Sequence, residues 1–209
     1  MENKTSQKYM AKANDSFRTK LNLYFFDKAI KQDWAAINIE DFRKFEICTD
    51  LVDLYTTEYW QLDSENELKP GLTNDAIYHM IDKREKEFKT LIEEFRIDYV
   101  NHFSEIFPPI AFEELLKRKT CEYCHVTIDE IVELSDKNQL RKKNYRGWSL
   151  EIDRIDSNFE YKKENCVMAC YWCNNAKTDE FTGDEFKEIG KEIRKVWEAR
   201  LGKKLEKTI

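Results

Sequence analysis

The chain has 209 residues, a length that fits one full domain or two small ones. Hydrophobic residues make up 41% and aromatics 13%, enough for a buried core; wholesale disorder is excluded, and no apolar run nears the ~20 residues of a membrane span. The net charge of -6 is unevenly spread. Residues 1–116 carry 15 Lys and Arg against 23 Asp and Glu, whereas residues 117–209 carry 20 against 18, so the second part is the better candidate for binding a phosphate backbone, although charge alone decides little.

Only 5 Gly and 3 Pro point to long helices and few tight turns. The opening MENKTSQKYM lacks the basic-then-apolar layout of a secretory signal, so a soluble cytoplasmic protein with no membrane segment is expected. Residues 21–37 are apolar enough for a buried helix. Phe42, Phe45, Cys48, Leu51, Tyr55 and Tyr59 recur at spacings of three and four, predicting one helical face. Asn74 is placed to cap a longer helix with the stripe Ile77, Ile81, Phe88, Leu91, Ile92, Phe95, Tyr99 and Phe103, and Pro108-Pro109 stops it. After the prolines, AFEELLKRK reads as a short helix, and the segment Trp148 to Asp153 alternates like a strand. Residues 165–179 read as a strand or turn passing into a helix. Thr182 opens a terminal helix with Phe186, Ile189, Ile193, Val196 and Trp197 on its buried side.

Five of the six cysteines fall between positions 121 and 173, and four form two C-x-x-C pairs, Cys121/Cys124 and Cys170/Cys173. In a chain with no export signal such pairs read as metal ligands before disulfides. Four thiolates satisfy a structural tetrahedral Zn2+, whose closed coordination holds a fold and does no chemistry. Cys48 and Cys166 read as buried packing cysteines. Asp153 lies on the expected strand, and Asn174 directly follows the last of the four cysteines. A carboxylate and an amide carbonyl are oxygen donors suited to a hard divalent cation, which would stabilise charge building on a phosphodiester. Taken singly, each is equally an ordinary surface Asp and a helix-capping Asn.

In combination, C-x-x-C, then Leu-Glu-Ile-Asp-Arg-Ile-Asp, then Asn165, then C-x-x-C-Asn-x-x-Lys resembles the zinc-bound HNH endonucleases of the ββα-metal type, over about residues 119–180. The resemblance implies that Cys121, Cys124, Cys170 and Cys173 hold structural zinc. It implies that Asp153 and Asn174 hold a catalytic Mg2+ or Mn2+, that Asn165 braces the loop, and that Lys177 faces phosphate. Where the family usually has Asp-His, with His as general base, this chain has Asp153-Arg154. Arginine does not accept a proton near neutral pH, but it grips phosphate with parallel hydrogen bonds. Water activation is thereby left to His125, to Glu151 or Asp156, or to a metal-bound hydroxide. The basic run Arg141, Lys142, Lys143 and Arg146, interleaved with Tyr145 and Trp148, is either a solvated loop or a nucleic-acid-binding segment.

The expected fold class is mainly α with a small α+β C-terminal domain: a helical N-terminal region, 1–116, and a zinc-stabilised HNH nuclease domain, 117–209. The expected activity is metal-dependent phosphodiester hydrolysis, in DNA before RNA, with the helical part serving targeting or the docking of a protein partner or DNA. Phage defence, restriction or a mobile element is the setting the resemblance implies. Two rivals remain: a zinc-stabilised nucleic-acid-binding module without catalysis, and an interaction subunit of a larger complex.

Overall fold

The computed structural model describes residues 2–58, 73–141 and 146–203. They are mostly helical with one two-stranded sheet, and none of the described helices is long and apolar enough to cross a membrane. Tyr59, Lys142, Lys143 and Tyr145 lie outside the described residues. The chain divides into two compact units: residues 1–106 with 158–161, and residues 107–157 with 162–209.

The first unit is built on α1 (Glu2–Lys31), against which α3 (Thr49–Asp53), α4 (Asn74–Glu87) and α5 (Lys89–Ile106) pack, while α2 (Ile39–Lys44) rests on α5. The second half of α1 is buried on several sides. Leu21, Leu23, Tyr24, Phe25, Phe26 and Ala29 are all in the core, as expected of an apolar segment lacking a polar stripe. Aromatic rings fill the centre: Phe42 stacks on Phe95 at 4.7 Å, and Tyr24 meets Phe42 edge-on at 5.2 Å, the offset and perpendicular geometries that ring quadrupoles favour.

Residues 158–161 join this unit through a chain of hydrogen bonds. The Tyr161 amide donates to Ser16 Oγ at 3.0 Å, and Tyr99 donates its single proton to Glu160 at 2.6 Å. The 2.9 Å contact between Ser16 and Tyr99 therefore has Ser16 as donor. Burial and the Glu160 carboxylate push the Tyr99 hydroxyl far above the ordinary phenol range.

Several expectations are corrected here. The stripe from Phe42 to Tyr55 is not one helix: α2 ends at Lys44, residues 45–48 are extended, and α3 continues into a π-helical turn, Leu54–Glu58. Cys48 sits at the N-cap of α3 and is exposed, not packed. Thr73, not Asn74, caps α4, its side chain accepting from the Ala76 amide, as hydroxyl N-caps do. The long helix is interrupted at Phe88, which lets Ile77 on one segment and Phe95, Tyr99 and Phe103 on the other all be buried.

In the second unit, α6 (Pro109–Leu116) starts on Pro109, where a missing amide proton costs nothing, and packs on the sheet. The sheet pairs β1 (Glu151–Arg154) with β2 (Cys166–Ala169) antiparallel, with Asp153 opposite Val167 and Arg154 opposite Cys166. α8 (Tyr171–Lys177) follows β2 directly. Helix α7 (Ile128–Asp136) was not anticipated, although Thr127 and Glu130 form a reciprocal capping box ahead of buried Ile131 and Leu134. α9 (Gly183–Leu201) begins at Thr182 as expected, with a second capping box to Glu185. Its buried face carries Phe186, Gly190, Trp197 and Leu201, whereas Val196 is exposed. Arg194 on α9 forks onto Glu130 of α7 at 2.8 and 3.0 Å, and Lys203 adds a third bond. Against the upward push of burial, these bonds hold the Glu130 carboxyl at about 2.

Gly190 is where α9 approaches the segment between the first two cysteines. A Cβ there would lie 2.5 Å from the Tyr123 carbonyl oxygen. Replacing a helical glycine by alanine ordinarily gains up to about 1 kcal/mol in propensity, but overpacking against backbone costs about 1–3 kcal/mol. Gly190→Ala should therefore destabilise the second unit by about 1–2 kcal/mol net, read as a lower midpoint in a chemical denaturation series.

Candidate metal centre and phosphodiester site

The two C-x-x-C segments close around each other. The first is a tight turn: the His125 amide donates to the Cys121 carbonyl, and the Cys121 amide to the Val126 carbonyl, both at 3.0 Å. His125 holds the left-handed conformation (φ 56°) that the turn needs, one His tolerates better than most residues. The second segment opens α8. Cys170 is its N-cap, and its sulfur accepts from the Cys173 amide at 3.5 Å.

All four cysteines are fully buried, and their sulfurs lie within 4.8 Å of one another. The Cys124 and Cys170 sulfurs are 3.7 Å apart, the edge length of a tetrahedron with metal–sulfur bonds of ~2.3 Å, which is ~3.8 Å. Thiols so placed share their protons. Hydrogen bonds from the other three draw Cys121 far below the ordinary thiol range, while contact with it pushes Cys170 and Cys173 far above. A divalent cation removes that conflict by letting all four ionise. The donor set and burial are those of structural zinc, and the cysteines are positioned for a metal ion.

β1 and α8 carry the second constellation. Glu151 and Asp153, two apart on β1, both meet α8: Asn174 Nδ2 donates to Glu151 Oε2 at 2.7 Å, and Lys177 Nζ lies 3.7 Å from Asp153 Oδ2. One face of the strand thus meets one face of a single helical turn. Asp153 is 9% exposed. Tyr123 donates to its Oδ2 at 2.6 Å, and the Arg154 amide adds a backbone bond. Burial raises the Asp153 carboxyl above the usual range, with those bonds and Lys177 opposing it.

An ionised carboxylate has about four acceptor positions, and the described donors to Asp153, Tyr123 and the Arg154 amide, do not fill them. The Asn174 amide turns its nitrogen toward Glu151, which leaves its oxygen on the other side of the amide plane. The oxygen donors at hand suit Mg2+ or Mn2+.

Asn165, also buried, makes both side-chain bonds to the backbone of Asp156, accepting from its amide and donating to its carbonyl at 2.9 Å. Asp156 is thereby held through its backbone just beyond β1. Lys177 is placed differently from the sequence expectation. It is fully buried, donating to the Arg154 carbonyl at 2.9 Å, so it serves as an internal counter-ion to Asp153 and does not face phosphate. Arg146 likewise departs from a free basic loop: it forks onto Glu151 at 3.1 and 2.7 Å and lies 4.7 Å over the Tyr171 ring. Arg141 is exposed, His125 is exposed at the first turn, and Arg154 is half-buried at the end of β1. Tyr123 was missed by the sequence reading, because no spacing rule marks a residue between two ligands as a partner of a strand 30 positions away.

No protein-family model matches the chain, and no curated protein matches it. Among solved structures, the chain is similar to one described as the rare-cutting HNH restriction endonuclease PacI, at 25% identity over 48% of this chain and 73% of that chain, with a TM-score of 0.38. A likeness at that TM-score carries no conclusion about this chain.

The cysteine cluster makes a direct prediction. Elemental analysis of the purified protein should give one zinc per chain, and a Cys121→Ser/Cys170→Ser double substitution should lose it. Zinc retained by the double variant would place the metal elsewhere.

Proposed function

We propose that the second unit is a metal-dependent HNH-type endonuclease, hydrolysing phosphodiester bonds in DNA. The observation that carries this reading is the buried Asp153 carboxylate on β1, facing a helix whose first turn holds Asn174 and is started by a zinc-ligand cysteine. Two antiparallel strands followed at once by a helix is the arrangement that the ββα-metal resemblance calls for.

In this reading Asp153 and Asn174 hold one Mg2+ or Mn2+, which when bound supplies positive charge to the scissile phosphate and its leaving oxygen. Lys177, 3.7 Å from Asp153, opposes the upward push that burial gives the carboxyl. Arg154, on the neighbouring strand position, contacts a phosphate oxygen. Glu151 lies between Arg146 and Asn174. Of the groups considered for water activation it is the one already bonded to a proposed metal ligand, and it accepts the proton of the attacking water. Exposed Arg141 contributes to backbone attraction together with the following basic residues. The helical first unit, with its acidic surplus, is suited to a protein partner before a nucleic acid.

A second reading is favoured by one observation, the arginine at the position of the usual histidine: a zinc-stabilised module that binds nucleic acid and cuts nothing. Supercoiled plasmid separates them. The wild type should nick it with Mg2+ or Mn2+ but not with EDTA, and Asp153→Asn should slow nicking by at least ~10²-fold with zinc content unchanged. Salt-sensitive binding without nicking would favour the second reading.

Arg154→Ala tests the phosphate contact separately. A charge-assisted bond is worth about 1.5–3 kcal/mol, so DNA affinity should fall by about 10- to 100-fold. An unchanged Kd in a fluorescence-anisotropy titration would remove Arg154 from the DNA surface.

A further inference from the structure

We propose that Tyr123 is a positioning residue for Asp153, carrying the rigidity of the first cysteine turn to the carboxylate that holds the divalent ion; this rests on the nuclease reading above. The ring is 1% exposed, and both its ends are fixed. At the backbone end, Tyr123 stands between Cys121 and Cys124, two of the four clustered cysteines, and the preceding Glu122 amide donates to Met168 of β2 at 2.8 Å. Gly190 of α9 presses on its carbonyl, and the Phe186 ring meets the Tyr123 ring edge-on at 5.2 Å. At the other end, the hydroxyl donates to Asp153 Oδ2 at 2.6 Å.

A tyrosine has two soft side-chain torsions, and packing on both sides leaves neither free. The hydroxyl therefore arrives at a defined point, and the carboxylate plane follows it. The competing partner is Lys177, whose ammonium is 3.7 Å from the same oxygen, short of hydrogen-bonding distance. With the hydroxyl deleted, the Lys177 bond to the Arg154 carbonyl and the Arg154 amide bond to Asp153 remain, but the side-chain donor that competes with Lys177 for Oδ2 is gone. Asp153 would turn toward Lys177 and away from Asn174. Tyr123 thus does more than fill the core: it holds apart an ion pair that would otherwise withdraw the carboxylate from the metal position. Partners that orient a metal ligand in this way typically matter by ~10–100-fold in metal affinity or activity.

The test compares wild type, Asp153→Asn and Tyr123→Phe, each loaded with zinc, by Mn2+ titration followed by electron paramagnetic resonance and by plasmid nicking. The wild type should show one Mn2+ site that Asp153→Asn abolishes. Tyr123→Phe should keep its zinc and its near-ultraviolet circular dichroism, while Mn2+ affinity and kcat each fall by ~10–100-fold and KM for DNA stays within about twofold, since a buried ring touches no DNA. Mn2+ affinity unchanged in Tyr123→Phe, with the wild-type site present, would overturn the positioning role alone. A wild type with no Asp153-dependent site would overturn the nuclease reading and this inference with it. Loss of zinc or of folding in Tyr123→Phe would show that the hydroxyl supports the domain as a whole, which also overturns the inference.

Discussion

Four buried cysteine sulfurs lying within 4.8 Å of one another form the donor set of a structural metal ion, and the rest of the second unit is arranged around them. Each of Cys121, Cys124, Cys170 and Cys173 is buried, and the only hydrogen-bonding company near their sulfurs among the described residues is each other and the amides of their own turns. The elements that carry the site are short: two strands of four residues each and a seven-residue helix, which do not hold together unaided in water and lean on α6, α7, α9 and the cysteine turns. A metal bridging the two turns fixes the start of α8 against the segment before α7, and with it the face of β1 that carries Glu151 and Asp153. Binding of the metal is then largely folding of the domain.

The reach of sequence reasoning follows from what kind of information each feature needs. The cysteine pairs are legible because a metal imposes short, regular spacings on its ligands, and the sulfurs do converge. The capping box at Thr182 and the stop at Pro108-Pro109 are legible because they are local backbone chemistry. The capping box at Thr127 is equally local, a threonine followed three residues on by Glu130. The break in the Phe42–Tyr55 stripe was not legible: apolar residues at helical spacing serve equally well in two short helices joined by an extended link, and tertiary packing on α1 decides. Charge was read least well. Lys177 and Arg146 look like phosphate ligands in a list of basic residues, yet each is placed against a carboxylate, the first by burial and the second by a fork and a ring. Sequence gives the sign of a charge and not its partner.

Polar groups also organise the first unit. The circuit from the Tyr161 amide through Ser16 and Tyr99 to Glu160 satisfies three buried or half-buried groups in series, and such chains are stronger than their members taken singly. It fixes residues 158–161, which stand in sequence between β1 and Asn165, onto α1 and α5. Within the second unit, the Asn165 side chain bonds both to the amide and to the carbonyl of Asp156, just beyond β1.

The central claim is that the cysteine centre holds Asp153 and its surroundings in place. Amide hydrogen exchange measured before and after zinc is removed with a chelator addresses it at the level of single elements. The account predicts that β1, β2 and α8 lose protection together when zinc leaves, while α1 and α5 of the first unit keep theirs. Protection in β1 and α8 that persists without zinc would contradict it.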